Sequence, residues 1–337
     1  MQNPIDELIA RKGVLLADGA TGTNLFAMGL SSGEAPELWN ETAPEKIEAL
    51  HQGFVDAGAD IILTNSFGGT RQRLKLHQAD DRVFELNKRA AELACKVAKG
   101  AGREVIVAGS VGPTGELLQP LGALTYDEAV DSFAEQMEGL KAGGAEVLWI
   151  ETMSSPDEIR AAAEAAGRVG LPYTYTASFD TAGKTMMGLD PAGIHAVADP
   201  LAEKPVAVGA NCGVGASDIL SSLLDMTAAK PDATVIVKGN CGIPEFRGTE
   251  IHYSGTPELM ADYVRLAVDS GAKIIGGCCG TSFEHLKAMR EALDAHKTPA
   301  GRPTLETIVE RIGPLRNKTA AANDQTPRRE RNSRRRG

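Results

Sequence analysis

Aromatic side chains are scarce in this chain of 337 residues, where Phe, Trp and Tyr together make up 4%. A core without them rests on aliphatic packing and on close backbone approach, for which 37 glycines are available. Long apolar runs are missing as well. None reaches the roughly 20 residues of a bilayer-spanning helix. Met1 to Ile9 carries Asp6 and Glu7 where an export signal would have a basic start and an apolar centre, so a cytoplasmic protein with no membrane partner is expected. Positive charge is in deficit: 35 Lys and Arg face 45 Asp and Glu, giving a net charge of -10. That balance excludes a nucleic-acid-binding surface on the main body. The exception is Arg328, Arg329, Arg331, Arg334, Arg335 and Arg336 near the end, a like-charge run that reads as a solvated, disordered tail. Cysteines are few, five at irregular spacing. With no export signal they describe no disulfide framework, and metal binding or catalysis is the better use.

What the chain does have is alternation. Short β-branched runs at Val14 to Ala17, Ile61 to Thr64, Glu104 to Gly109, Val147 to Glu151, Tyr173 to Ser178, Val206 to Ala210, Thr234 to Lys238 and Lys273 to Gly277 are each followed by a longer amphipathic segment. Eight such βα pairs predict a closed parallel (β/α)8 barrel of TIM type, an α/β fold in a single domain. The helices have readable starts: Pro44 to Ala57 opens on proline, and Tyr126 to Ala142, Pro156 to Arg168 and Pro257 to Ser270 follow Thr125, Ser155 and Thr256 as N-caps. The barrel is expected over residues 1–298, an extension with a short helix at Leu305 to Ile312 over 299–316, and the basic tail over 317–337. The polar stretch Gly69 to Asp80 reads as a long functional loop after the second strand.

Active sites of such barrels form at the C-terminal strand ends, where this sequence puts Asp18, Asn65, Glu151, Ser178, Asn211, Cys212, Lys238, Cys278 and Cys279. The adjacent pair in Gly276-Gly277-Cys278-Cys279-Gly280 stands among glycines that let the backbone bend, so both thiols can face one ion together with Cys212. Three sulfurs suit zinc and leave one tetrahedral position free, the catalytic pattern. Cys95 in an Ala-rich helix reads as a small buried hydrophobe, and Cys241 as a supporting or inert residue or a fourth ligand. Glu151 at a strand end and Asp18 in the glycine-punctuated first loop suggest a site for a cationic group such as a substrate amine. No histidine has the spacing of a metal motif.

These residues resemble a known family. Asp18-Gly19-Ala20-Thr21-Gly22-Thr23, Thr64-Asn65-Ser66-Phe67-Gly68, Glu151-Thr152-Met153, Asn211-Cys212 and Gly276 to Thr281 are similar to the motifs of the zinc-dependent homocysteine S-methyltransferase family, over roughly residues 8 to 296. The resemblance implies that Cys212, Cys278 and Cys279 hold Zn2+ with the homocysteine sulfur at the open position. It further implies that Asp18 and Glu151 engage the homocysteine ammonium, that backbone N–H groups of the loop at Gly19 and Ala20 receive its carboxylate, and that the substrate thiolate is the nucleophile in place of any side chain. Trp39 aligns with a tryptophan that faces the quaternary ammonium in betaine-using members, where an aromatic face attracts a cation. The run from Pro36 through Leu74, with the arginine-rich end, is most similar to short bacterial members that use betaine, although Gly68 stands where the animal betaine enzymes carry tyrosine. The expected reaction is therefore methyl transfer from betaine to L-homocysteine, giving L-methionine and dimethylglycine. The alternatives are other donors, namely methyltetrahydrofolate or a methyl-corrinoid partner, S-methylmethionine or dimethylsulfoniopropionate, and outside the enzymes a zinc-binding or redox-sensing protein. The chain is expected to lack folate- and cobalamin-binding domains, and a homo-oligomer is left open.

Overall fold

The computed structural model describes residues 3–242, 244–247, 250–296 and 301–317. Its frame is eight parallel strands: β1 Leu15–Leu16, β2 Ile61–Leu63, β3 Ile106–Val111, β4 Val147–Met153, β5 Tyr173–Ala177, β6 Ala207–Cys212 and β7 Val235–Gly239, then, beyond an antiparallel hairpin of β8 Pro244–Arg247 and β9 Glu250–Tyr253, β10 Ile274–Gly277. The ladder runs β1-β10-β7-β6-β5-β4-β3-β2. A parallel bridge between Ala17 and Ile61 joins β1 to β2 and brings the sheet round on itself, with the Asp18 N–H donating to the Ile61 carbonyl at 3.0 Å. The (β/α)8 barrel expected from the alternation is present, with each strand within a few residues of its run.

Two layers of apolar side chains explain why these segments close. One face of each strand points inward, and Leu15, Ala17, Ile61, Leu63, Ile106, Ala108, Val147, Trp149, Ala207, Ile236 and Ile274 pack as one interior cluster. Ile5 and Leu8 belong to that cluster and come from a helix the strand pattern does not announce, Pro4–Lys12, which stoppers the N-terminal end. Its start and stop are nonetheless well marked: the Asn3 side chain accepts from the Ile5 N–H, acids fill the first turn, Arg11 and Lys12 the last, and Gly13 follows with φ 82°. The outer face packs against the helical ring, whose caps are those expected at Thr125, Ser155 and Thr256. Between β5 and β6 the helix shrinks to a 3-10 turn, Ala192–Ala196, and the polar stretch after β2 contains a short helix, Arg71–Lys75.

Beyond the barrel, helix Leu305–Ile312 lies where expected and packs on helix Ala216–Ala229. The Ser217 hydroxyl donates to the Gly313 carbonyl, and Asp218 accepts from the amides of Arg316 and Asn317. Residues 299 and 300, at the expected domain boundary, and 318–337 of the basic tail lie outside the described residues. Among the described residues no helix is long and apolar enough to cross a membrane.

Candidate active site

Two residues further along each strand the inward face turns polar. Ala108 is followed by Ser110, Trp149 by Glu151, Thr174 by Thr176, Gly209 by Asn211 and Ile236 by Lys238, and Gly276 by Cys278 just past β10, so the period of two lifts one set of functional groups to the C-terminal mouth. Asp18 and Lys238 form an ion pair of 2.7 Å, each side chain 3% exposed. The second Asp18 oxygen accepts the Leu63 N–H at 2.7 Å, and Glu151 accepts the Ser110 hydroxyl. Gly276 makes room for the lysine, since a Cβ there would lie 3.0 Å from Lys238 Cγ and from the Asp18 carbonyl. Burial alone would push the Lys238 amine down, but the Asp18 and Glu151 carboxylates override it and hold the amine charged. Burial raises the Glu151 carboxyl above its ordinary range against the pull of Lys238 and Ser110. With all three ionised, the set carries one buried negative charge, which a single incoming ammonium neutralises.

The same mouth gathers Cys212, Cys278 and Cys279, whose sulfurs all lie within 4.8 Å of one another. Cys212 ends β6 with φ 61°, a left-handed conformation rare outside glycine that turns its side chain out of strand alternation toward the pair. Asn211 accepts the Thr152 N–H at 2.8 Å and the Thr176 hydroxyl at 2.6 Å, and its amide group donates to Cys278 Sγ at 3.8 Å. Asn240 ties both loops: its amide donates to the Gly213 carbonyl and to Cys212 Sγ, while its oxygen accepts the Cys279 N–H at 3.0 Å. Gly280, at φ 80°, is required because a Cβ there would lie 2.3 Å from the Tyr253 ring, whose hydroxyl reaches Cys279. Tetrahedral ligation by thiolates about 2.3 Å from a zinc ion spaces sulfurs about 3.8 Å apart, so the cluster fits such an ion. Cys241 is fully buried and outside this cluster; its N–H donates to the Cys279 carbonyl at 2.9 Å. Cys95 is on an outer helix, its thiol donating to the Gly144 carbonyl.

A cavity of about 570 Å³ joins the two halves, lined by Asp18, Glu151, Lys238, the three cysteines and the loop from Gly19 to Thr23. The Ala20 N–H already donates to the Thr281 carbonyl at 3.1 Å, whereas the Gly19 N–H makes no hydrogen bond among the described residues. Trp39 stands elsewhere. It is 9% exposed, packs in the core between strands and helices, has the Lys46 ammonium 4.3 Å from its ring centroid, and is not among the residues that line the cavity. Ser178 also turns away, donating to Asp180. Sequence reasoning placed Lys238 at a strand end without giving it a partner, and missed Ser110, Asn240 and Tyr253.

Fold and site define a parallel barrel whose mouth sets three clustered thiols beside the buried set of Asp18, Glu151 and Lys238. The chain belongs to the homocysteine S-methyltransferase family, matching it over residues 15–293, and is an enzyme of the S-methyltransferase class. Among solved structures it is similar to the homocysteine methyltransferase MmuM from Escherichia coli. The oxidized form is 25% identical, with a TM-score of 0.71 over 86% of this chain and 99% of that one; the metallated form is 25% identical, with a TM-score of 0.69 over the same shares. A methionine synthase of Mycobacterium tuberculosis is 28% identical over 88% of this chain, and one of Mycobacterium leprae 27% over 85%. The chain spans about a quarter of the length of these curated relatives, 26% and 25%.

Proposed function

We propose that the chain transfers a methyl group from a cationic onium donor, with betaine favoured, to L-homocysteine, yielding L-methionine and, from betaine, dimethylglycine. The observation that carries this reading is that three thiols share a single cavity with two buried carboxylates, Asp18 and Glu151, and only one buried amine, Lys238. Homocysteine is a thiol that bears an ammonium, and the two features answer its two groups. Cys212, Cys278 and Cys279 would hold zinc, and such an ion supplies the substrate sulfur as a thiolate at neutral pH, where a free thiol of pKa about 8.5 stays mostly protonated. Asp18 and Glu151 bind the ammonium, Lys238 pairs with Asp18 and fixes its position, and the Gly19 amide is available to the carboxylate.

The chemistry is displacement at carbon. Sulfur approaches the methyl group from the side opposite the leaving amine or sulfide, so the protein's task is to hold the two molecules in line and keep water out. The S–CH3 bond forms as the N–CH3 or S–CH3 bond of the donor breaks. The electron pair of the broken bond returns to the donor heteroatom, whose positive charge disappears. No general acid is needed to protonate that leaving group.

A second reading has its own support. Phe26, Phe67, Leu76, Leu117, Leu121, Met186 and Met187 are exposed apolar side chains, and all follow the C-terminal ends of strands. With the similarity to methionine synthases, they favour a methyl group delivered by a separate protein that docks over the mouth. Purified zinc-loaded protein given homocysteine and, in turn, betaine, S-methylmethionine, dimethylsulfoniopropionate and methyltetrahydrofolate decides: methionine formed from a small onium donor upholds the first reading, and failure with every donor favours the second. We also keep the chain in the cytoplasm, a reading supported by five cysteines with no disulfide among them.

A further inference from the structure

The same cavity is lined by residues to which the acceptor reading gives no role, on the turn before Trp39 and on the segment after β2. Glu37, on the 3-10 turn Pro36–Leu38, is 5% exposed, and its Oε1 accepts the Gly68 N–H at 2.6 Å. Asn65 pins that turn beside the second-strand loop by donating to the Pro36 carbonyl at 2.8 Å. Arg73 and His77 line the same cavity, where burial raises the Glu37 carboxyl and the Arg73 guanidinium works against that rise. Arg73 is exposed and has no ion pair among the described residues, whereas its neighbours Arg71 and Arg82 are taken by Glu135 and Glu41. Gly115 leaves it space: a Cβ there would lie 3.3 Å from the Arg73 guanidinium. A five-residue helix is too short for Arg73 to be there mainly for the helix dipole.

The reaction geometry gives these residues a purpose. Attack in line turns the leaving group away from the thiols, and in a carboxylated onium compound the carboxylate travels on that leaving group. It therefore points away from the thiols, and the cavity lining includes one guanidinium able to receive it, that of Arg73. We propose that Glu37 and Arg73 are the residues that read the methyl donor, Glu37 facing its cationic centre and Arg73, assisted by His77, receiving its carboxylate. This rests on the onium-donor reading above and extends it to the class of donor: a zwitterion joining an onium centre to a carboxylate. Glu37 attracts the onium charge, which leaves the donor heteroatom as the methyl group is transferred, so this contact weakens as the product forms. The Arg73 contact is with a group common to donor and product and acts on binding, so it sets which molecules enter.

Calorimetric titration of the full-length, zinc-loaded chain with betaine, S-methylmethionine and dimethylsulfoniopropionate, each beside its carboxyl methyl ester, tests this. For at least one pair, the wild type should bind the free acid about tenfold more tightly than the ester, the size of one charge-assisted contact at a partly exposed site. Arg73→Gln should erase that preference by weakening the acid and leaving the ester unchanged, and Glu37→Gln should weaken acid and ester alike. Equal losses on acid and ester in Arg73→Gln, or no loss at all, overturn the assignment. So does a wild type that takes up homocysteine and binds none of the three acids, a result that leaves the methyl-acceptor reading standing. Donor binding that depends on Arg73 in a protein unable to take up homocysteine would instead uphold the assignment and strike the acceptor reading.

Discussion

Replacing one buried carboxylate, Glu151→Gln, should trade substrate affinity for stability. Glutamine keeps the shape and can still accept the Ser110 hydroxyl, so the change removes little but charge. The surplus negative charge of the Asp18, Glu151 and Lys238 set then vanishes, and an arriving ammonium loses one charged partner. A hydrogen bond to a charged group is worth about 1.5 to 3 kcal/mol, so homocysteine binding should weaken by roughly 10- to 150-fold. The free protein should respond the other way. Burial, above all, raises the Glu151 carboxyl from its ordinary value of 4.5. A group with a raised folded pKa binds more protons folded than unfolded, so its stability penalty is absent below the ordinary value, grows as pH climbs toward the folded pKa, and is complete above it. Urea denaturation of substrate-free protein should therefore find Glu151→Gln the more stable form at about pH 8, with the gap closing as the pH falls toward 4.5. Wild-type homocysteine affinity together with unchanged stability across that range would refute the assignment of the ammonium to this carboxylate.

Lys238→Met strands the Asp18 and Glu151 carboxylates together and should cost about 3 to 5 kcal/mol by denaturant midpoint, part of it recovered in the Lys238→Met, Asp18→Asn double variant; full additivity would mean the pair is not coupled. Asn240→Ala releases both cysteine loops and should lower zinc affinity about 10- to 100-fold in a chelator competition while the circular dichroism of the fold stays the same; unchanged affinity would exclude Asn240 as the orienting group. Trp39→Leu empties part of the outer core and should lower stability by roughly 1 to 3 kcal/mol without changing relative rates among methyl donors; a change of donor preference would return Trp39 to the donor site.

The barrel was legible because its strands are β-branched runs bounded by glycine and polar residues, a signal that survives without knowledge of contacts. The thiol site was legible for a related reason: Cys212, Cys278 and Cys279 stand just beyond apolar runs, and a barrel brings all such ends to one face. Pairing across the chain was not. Asp18 and Lys238 are 220 positions apart, and only the closed ring sets β1 and β7 on either side of β10. The setting of Trp39 was not legible either, because its neighbours fix a turn but not the side on which the ring emerges, and the ring lies under Lys46. The hairpin carrying Tyr253 interrupts the βα rhythm between β7 and helix Pro257–Asp269, so a reading built on that rhythm passes over it. Helix Pro4–Lys12 carries its caps in the sequence but precedes the first strand, so the βα alternation does not announce it.

The central claim is that the three cysteines at the barrel mouth bind zinc and present it to the homocysteine sulfur. X-ray absorption at the zinc edge of the purified, loaded chain tests this directly: three sulfur neighbours near 2.3 Å without substrate should become four when homocysteine is added, and Cys212→Ala should lose most of the metal. A sulfur count that stays the same on adding homocysteine, or zinc fully retained by Cys212→Ala, would contradict the account.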